Sequence, residues 1–108
     1  LEVSYGYEAL VNRDEAVDEV RAMAEALLGA DRITWKERPS MGGEDFSFFA
    51  RVVPSAFLWL GCRPAHADPA TFAPVHNNGF APDEACFPYG VEALVRSALA
   101  IVNDETGR

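Results

Sequence analysis

A continuous apolar run near the middle of the chain constrains the fold most. Residues 55–62, with the sequence SAFLWLGC, have the length of a strand and are bounded by Pro54 and Gly61. Apolar side chains on both faces of a strand need cover on both faces, so such a run is typical of a parallel sheet between layers of helices. The run therefore favours a layered α/β fold.

Two stretches of helical periodicity flank this run. In the first, Asn12 is a good N-cap, Asp14 and Glu15 suit the positive end of a helix, and apolar residues then recur at helical spacing. Gly29 can take the left-handed conformation that ends such a helix. The second stretch begins near Phe87 and carries an apolar stripe along its length. Both stretches predict amphipathic packing helices.

Shorter patterns complete the prediction. Alternation in residues 1–6 predicts a half-buried strand, and β-forming residues in 33–36 predict a short strand that Pro39 ends. The pattern in residues 44–53 predicts a short helix with Phe46, Phe49 and Val53 on one face. Residues 63–82 are rich in proline and predict a long loop. The chain begins inside its first predicted strand, so we expect a piece of a larger domain.

Composition narrows the classes of partner. The 108 residues carry 17 Asp and Glu against 9 Lys and Arg, a net charge of −8. No basic cluster offsets this charge, and no uninterrupted apolar run reaches membrane-spanning length, so we expect no nucleic-acid and no membrane partner. Cys62 and Cys86 lack the spacing of a zinc or C-x-x-C motif, which favours structural thiols and a cytoplasmic location.

His76 is the first candidate for chemistry. It lies in the long loop beside Asn77, Asn78 and Gly79. Neutral imidazole is the commonest metal ligand in proteins, but a catalytic zinc needs about three protein ligands. From the local sequence alone, His76 is either a ligand or an ordinary loop histidine, and His66 in the same loop has no obvious orienting partner.

The turn Gly42-Gly43-Glu44-Asp45 is the second candidate. Paired glycines let the backbone approach a ligand closely, and amides at the start of the following helix could bind a carboxylate. The alternative is a plain turn in which Glu44 and Asp45 satisfy the positive end of that helix. The local pattern leaves both interpretations open.

Three motifs taken together resemble a known family. MGGEDFSFF at 41–49, VPSAFLWLG at 53–61 and VHN at 75–77 are similar to the C-terminal part of the aminoacylase/carboxypeptidase group of dinuclear metallopeptidases. The similarity is greatest to the branch of hippurate hydrolases, N-acyl amino acid amidohydrolases and auxin-conjugate hydrolases. YEALVN at 7–12 also resembles that branch, so the resemblance extends from residue 1 to about residue 103.

The resemblance implies a fold and a set of domains. Family members have an α/β catalytic domain of the phosphorylase/hydrolase-like zinc-exopeptidase type, interrupted by a lid domain that often forms a homodimer. Residues 1–11 would end the lid domain, 12–104 would belong to the catalytic domain, and 105–108 would be a tail.

The resemblance also implies roles for individual residues. His76 would bind one of two divalent metal ions (zinc, manganese or cobalt), while Gly42, Gly43 and Glu44 would line the substrate pocket. The remaining metal ligands and the general base of the family have no counterpart here, so no catalytic residue is expected in this segment. Asn78 departs from the proline that is frequent in the branch.

Three functions follow as hypotheses. In the first, the chain is part of a metal-dependent amidohydrolase that cleaves the amide bond of N-acyl amino acids or small peptides with a metal-activated water. The isolated chain would then be inactive without the rest of the catalytic domain. The second is a non-catalytic folding or protein-interaction domain, and the third a small stand-alone fold with an unrelated binding role.

Overall fold

The computed structural model describes residues 1–3, 6–36 and 38–106, and the regular structure in them is helical. The helices are α1 (Asp14–Leu28), α2 (Ser47–Ala50) and α3 (Phe87–Thr106), with 3-10 turns at Ala30–Arg32 and Glu84–Cys86. The chain divides into two compact units, Leu1–Leu58 and Trp59–Arg108. The first unit holds α1 and α2, and the second holds α3.

The start of α1 is tied to the segment that follows α2. Arg13 occupies the N-cap position without a capping side-chain hydrogen bond, so the prediction that Asn12 caps the helix was wrong. The Asn12 carboxamide instead donates from Nδ2 to the Phe57 carbonyl (3.1 Å) and accepts from the Phe57 amide at Oδ1 (2.8 Å). The Arg13 amide also donates to the Ser55 carbonyl at 3.0 Å. These bonds fix α1 against residues 55–57.

The end of α1 is where the sequence predicts it. Gly29 has φ 90°, and its amide donates to the Glu25 carbonyl at 2.9 Å. A Cβ at this position would lie 2.8 Å from Asp31 Oδ1 in the following 3-10 turn. Glycine is therefore favoured by the backbone conformation, whereas the Asp31 carboxylate could rotate away from an added Cβ.

Helix α2 is shorter than predicted and buries a different face. It covers Ser47–Ala50 rather than residues 44–53, and its buried residues are Ser47 and Ala50. Phe46 is half-buried against Phe57, with ring centroids 5.7 Å apart, whereas Phe49 is 61% exposed. The two small residues of this single helical turn are therefore the buried ones.

The predicted strands are not observed among the residues that the structure describes. Neither 33–36, nor 55–62, nor the described part of 1–6 forms a strand; Ser4 and Tyr5 lie outside the described residues. A strand requires a ladder of hydrogen bonds to a neighbour. Leu58, Trp59 and Leu60 are 44–63% exposed instead of covered on both faces. The α/β class is therefore unconfirmed by this structure.

Helix α3 begins at Phe87 as predicted, with Pro88 in its first turn. Asp83 precedes it and accepts a hydrogen bond from the Ala85 amide (3.0 Å) at the start of the 3-10 turn. The helix continues to Thr106, into the predicted tail, of which residues 107–108 lie outside the described part. Its apolar stripe is exposed: Val91, Leu94, Val95, Leu99, Ile101 and Val102 are all at least 51% accessible.

One segment has the length and composition of a membrane-crossing helix. Glu84–Asn103 has 20 residues and a mean hydropathy of 1.4, although it contains no uninterrupted apolar run of that length. Its interior charges, Glu92 and Arg96, form an i,i+4 ion pair with Arg96 Nε 2.9 Å from Glu92 Oε1. Core helices of proteins that never enter a membrane meet the same criterion, so these properties alone assign no membrane.

Candidate functional site

An aromatic ring packs against Gly43 so closely that it leaves no space for a side chain there. A Cβ at this position would lie 2.6 Å from Cδ2 of Tyr7. The Tyr7 ring also meets Phe48 edge-on, with centroids 5.8 Å apart. Among the described glycines only Gly29 has a positive φ, so neither glycine of the turn uses the left-handed region. The absence of a side chain at Gly43 therefore allows Tyr7 to pack over the turn.

Gly42 and Gly43 present free backbone donors. Both residues are exposed, and within the described part of the chain neither amide donates to another residue. A Cβ at Gly42 would have only the hydroxyl of Ser40 nearby, at 3.7 Å. The turn thus has unpaired N–H groups next to α2, which is what a carboxylate or carbonyl ligand requires.

Glu44 is engaged within its own turn. Its Oε1 accepts a hydrogen bond from the Phe46 amide (3.1 Å), and its carbonyl accepts one from Ser47 (3.2 Å). The Asp45 carbonyl accepts from the Phe48 amide at 3.0 Å. Glu44 therefore does what the plain-turn interpretation predicts, because it satisfies amides at the start of α2.

His76 has the most unusual backbone of the candidate residues. Its φ is 65°, the single positive value among the described residues other than glycine. Histidine is one of the few side chains enriched in this region. The residue is exposed, and within the described chain its imidazole has no hydrogen-bond or ion-pair partner. Both ring nitrogens are consequently available to a ligand.

The turn after His76 fixes its position in the loop. Oδ1 of Asn77 accepts from the Gly79 amide (2.8 Å), and the Asn77 carbonyl accepts from the Phe80 amide (3.0 Å). Phe80 packs edge-on against Phe72, with centroids 5.8 Å apart. An Asx turn and an aromatic pair thus hold the backbone on which His76 sits.

His66 lies in the same loop but has no comparable setting. Its neighbours form a local turn in which the Ala67 amide donates to the Pro64 carbonyl at 3.0 Å, and Arg63 Nη1 donates to the Ala67 carbonyl. His66 is exposed, and its own backbone is not left-handed. The two histidines therefore form a natural pair of candidate and control.

The described residues contain no complete metal site. No group of three or more His, Cys, Asp or Glu side chains lies close enough to hold an ion. His76 belongs to the second unit, and the Gly42–Glu44 turn belongs to the first. A complete metal site at either histidine would therefore need ligands from outside these residues.

Ser47 is a polar residue that the sequence pattern did not single out. It is 1% exposed, and its Oγ has no hydrogen-bond partner among the described residues. It contributes to a groove at the start of α1 that Arg13, Asp14, Glu15 and Arg51 also line. Because the groove mixes both signs of charge, it selects no class of ligand. Only the position of Ser47 next to the GGED turn could have marked it.

Comparison with known proteins identifies similar sequences over most of the chain. Residues 1–100 match the family described as Peptidase family M20/M25/M40. IAA-amino acid hydrolase ILR1-like 6 of Arabidopsis thaliana is 28% identical over 99 residues, 92% of this chain and 21% of that protein. Hippurate hydrolase of Campylobacter jejuni is 38% identical over 50 residues, 46% of this chain and 13% of that protein.

A third similar protein carries a different name. A Rhodococcus jostii protein provisionally named glutamate--cysteine ligase 2-3 is 32% identical over 108 residues, 98% of this chain and 13% of that protein. The chain thus spans 13% to 21% of the length of these three curated relatives. No solved structure matches the chain significantly.

Proposed function

The chain belongs to peptidase family M20/M25/M40, and we propose that it is the C-terminal part of a metal-dependent amidohydrolase. Its substrates would be N-acyl amino acids or small peptides. The match over residues 1–100 carries this proposal, because it includes both the GGED turn and the His76 loop in one alignment. The names of the Arabidopsis and Campylobacter relatives support the amide-hydrolysing branch.

The ligase name supports no second activity. The matched region is 13% of the Rhodococcus protein, so that name describes a chain of which most lies outside the similarity. The α/β class belongs to the proposal as well. In the complete catalytic domain, residues 55–62 would pair with neighbouring strands, and helices would cover Leu58, Trp59 and Leu60.

His76 is the proposed metal ligand of this chain. An exposed imidazole without a protein partner, on a backbone held by the Asn77 turn, fits the requirement for a neutral nitrogen donor in a fixed position. The other ligands of a two-metal site would come from the rest of the catalytic domain, since the described residues offer no cluster. A single imidazole suits zinc, manganese or cobalt and does not choose among them.

The turn at Gly42, Gly43 and Glu44 is the proposed substrate contact. When bound, the metal pair would supply a water of lowered pKa and polarise the scissile carbonyl. The free amides of Gly42 and Gly43 would donate to the carboxylate or carbonyl of the substrate and so orient it. Glu44 would act through the turn, because its carboxylate already accepts from Phe46 and holds the start of α2.

Metal removal from the full-length protein tests the proposed activity. We expect hydrolysis of benzoyl-glycine to stop after chelation and to return when zinc, manganese or cobalt is added. Product release measured by amine detection, before and after dialysis against a chelator, decides the matter. Turnover that survives complete metal removal would contradict the proposed reaction.

The isolated chain has a second candidate role as an interaction or folding domain. The exposed apolar stripe of α3 favours association with other protein surface, since exposed patches of this kind mark interaction sites. We expect the purified 108-residue chain to show no hydrolysis of benzoyl-glycine with added metal. Measurable turnover would show instead that the chain assembles a site by itself.

Two further expectations remain predictions. One is dimerisation through a lid domain that ends at residue 11, and the other is a cytoplasmic location.

A further inference from the structure

We propose that Cys62 and Cys86 are a redox pair that forms an intramolecular disulfide. The disulfide would join the two ends of the loop of residues 63–82, which carries His76. The disulfide itself is independent of the proposed amidohydrolase activity. The constraint that the disulfide would place on the loop is independent of that activity as well. Both cysteines are free thiols in the second unit, and their sequence separation gives no zinc or C-x-x-C motif.

The backbone brings the two cysteines to one place. The Cys62 carbonyl accepts a hydrogen bond from the Asp83 amide at 2.8 Å. The Asp83 carbonyl in turn accepts from the Cys86 amide at 3.0 Å, across the 3-10 turn. Asp83 therefore contacts both cysteines, although residues 63–82 lie between Cys62 and Asp83 in the sequence. The two thiols stand at the entry and the exit of the loop.

A second contact shows that the two segments continue side by side. Leu60 Cδ2 lies 2.9 Å from the position of a Cβ on Gly90, so the residues before Cys62 pack against the first turns of α3. The contacts at Asp83 and at Gly90 fall on either side of Cys86 in the sequence. Cys62 and Cys86 therefore lie on two segments that touch at two places, one on either side of Cys86. These contacts keep the two backbones near each other, and a disulfide needs close backbones.

The two thiols differ in burial, and this difference determines which of them reacts first with an oxidant. Cys62 is half-buried and Cys86 is buried. Burial raises the pKa of the Cys86 thiol, and negative charge on Cys62 and Asp83 raises it further. Cys62 is therefore the thiol that meets an oxidant first, and Cys86 is the resolving thiol.

The oxidant is a peroxide, and the reaction balances. The Cys62 thiolate attacks one oxygen of hydrogen peroxide, the O–O bond breaks, and the released hydroxide takes a proton to become water. The Cys86 sulfur then attacks the Cys62 sulfenic acid, forming the S–S bond. The displaced hydroxyl takes the Cys86 proton and leaves as a second water. The sulfurs together lose two electrons, and the peroxide oxygens gain them.

Peptide mapping of the full-length protein tests the pair directly. After treatment with dilute hydrogen peroxide, free thiols are alkylated and the protein is cleaved before aspartate. Complete cleavage yields one peptide with Cys62, from Asp45 to Ala67, and one with Cys86, from Asp83 to Asn103. We expect mass spectrometry to find these peptides joined in the oxidised sample and separated after reduction.

The controls distinguish a paired thiol from general oxidation. Cys62→Ser should abolish the joined peptide, and a rate of disulfide formation that is independent of protein concentration would show that it forms within one chain. Separate oxidation of the two cysteines without a joined peptide would overturn the proposal, as would pairing only between two chains. Because Cys86→Ser changes a buried residue, Cys62→Ser is the variant on which the test depends.

Amide hydrogen exchange reports on the loop without any measurement of activity. If the disulfide closes the base of the loop, amide hydrogen exchange of residues 63–82 should slow in the oxidised wild-type protein but not in peroxide-treated Cys62→Ser. Unchanged exchange despite a mapped disulfide would overturn the effect on the loop. These results do not depend on benzoyl-glycine hydrolysis, so failure of the amidohydrolase proposal and failure of the redox proposal are distinguishable.

Discussion

At the scale of single residues, Asn12 joins two segments that lie 45 residues apart in the sequence. Its carboxamide pairs with both the amide and the carbonyl of Phe57, as a neighbouring strand would. Side-chain amides can do this because they carry one acceptor and one donor in a plane. The local pattern around Asn12 matches a helix N-cap equally well, so the sequence could not reveal the distant partner.

Replacing Asn12 should cost stability rather than chemistry. Asn12→Ala removes two part-buried hydrogen bonds, so we expect a loss of about 1–3 kcal/mol in the free energy of unfolding of the full-length protein. Asn12→Asp keeps the acceptor for Phe57 N but places a carboxylate oxygen against the Phe57 carbonyl, so its loss should be at least as large. Urea denaturation measures both. Equal stability of wild type and Asn12→Ala would show that the bonds to Phe57 contribute nothing.

Gly43 also works through a contact with a distant residue. Gly43→Ala places a methyl against the Tyr7 ring, which must swing away and give up its contact with Phe48. We expect a loss of about 0.5–1.5 kcal/mol in unfolding free energy, the usual contribution of an aromatic pair. Gly42→Ala, with open space around it, is the matched control and should change stability little.

A double substitution isolates the cause. In a Tyr7→Ala background the added methyl has no ring to displace, so Gly43→Ala should then cost almost nothing. Chemical denaturation of the single and double variants gives the coupling. Full additivity of the two losses would contradict the assignment of Gly43 to Tyr7 packing.

At the scale of elements, the ends of α1 and α3 follow from local sequence, whereas the formation of strands does not. Gly29 ends α1 and Phe87 begins α3 as predicted, because caps and proline positions act over a few neighbouring residues. The expected strands depend on hydrogen-bonding neighbours that the described residues do not supply. Helix α2 is a single turn that buries Ser47 and Ala50, so the spacing of Phe46, Phe49 and Val53 did not predict its buried face.

The end of α1 is open to a direct test. Gly29→Ala forces a Cβ into a positive-φ conformation and against Asp31, so we expect a loss of at least about 1–2 kcal/mol in unfolding free energy. Adding Asp31→Ala removes the steric contact but leaves the backbone strain. The double variant should therefore recover only part of the loss. Full recovery would assign the whole effect to the contact with Asp31 and none to the φ of 90°.

At the scale of the whole molecule, the motifs carried more information than the composition. The order of the GGED turn, the apolar run and the His76 loop indicated the metallopeptidase family, and the match over residues 1–100 confirms it. The roles of Gly42, Gly43, Glu44 and His76 stay predictions, because a metal site is a property of several chain segments together. The described residues hold no group of three or more His, Cys, Asp or Glu side chains that could bind an ion, so the structure of this segment alone cannot test those roles.

The central claim is that His76 binds a catalytic metal, and the metal content of two variants tests it most directly. Full-length His76→Ala and His66→Ala are purified identically, and bound metal is measured by elemental analysis alongside kcat for benzoyl-glycine. We predict that His76→Ala loses bound metal and loses more than about 100-fold in kcat. Loss of a group that only supports a metal ligand already costs about 10–100-fold. His66→Ala should retain both. Unchanged metal content and turnover in His76→Ala would contradict the account.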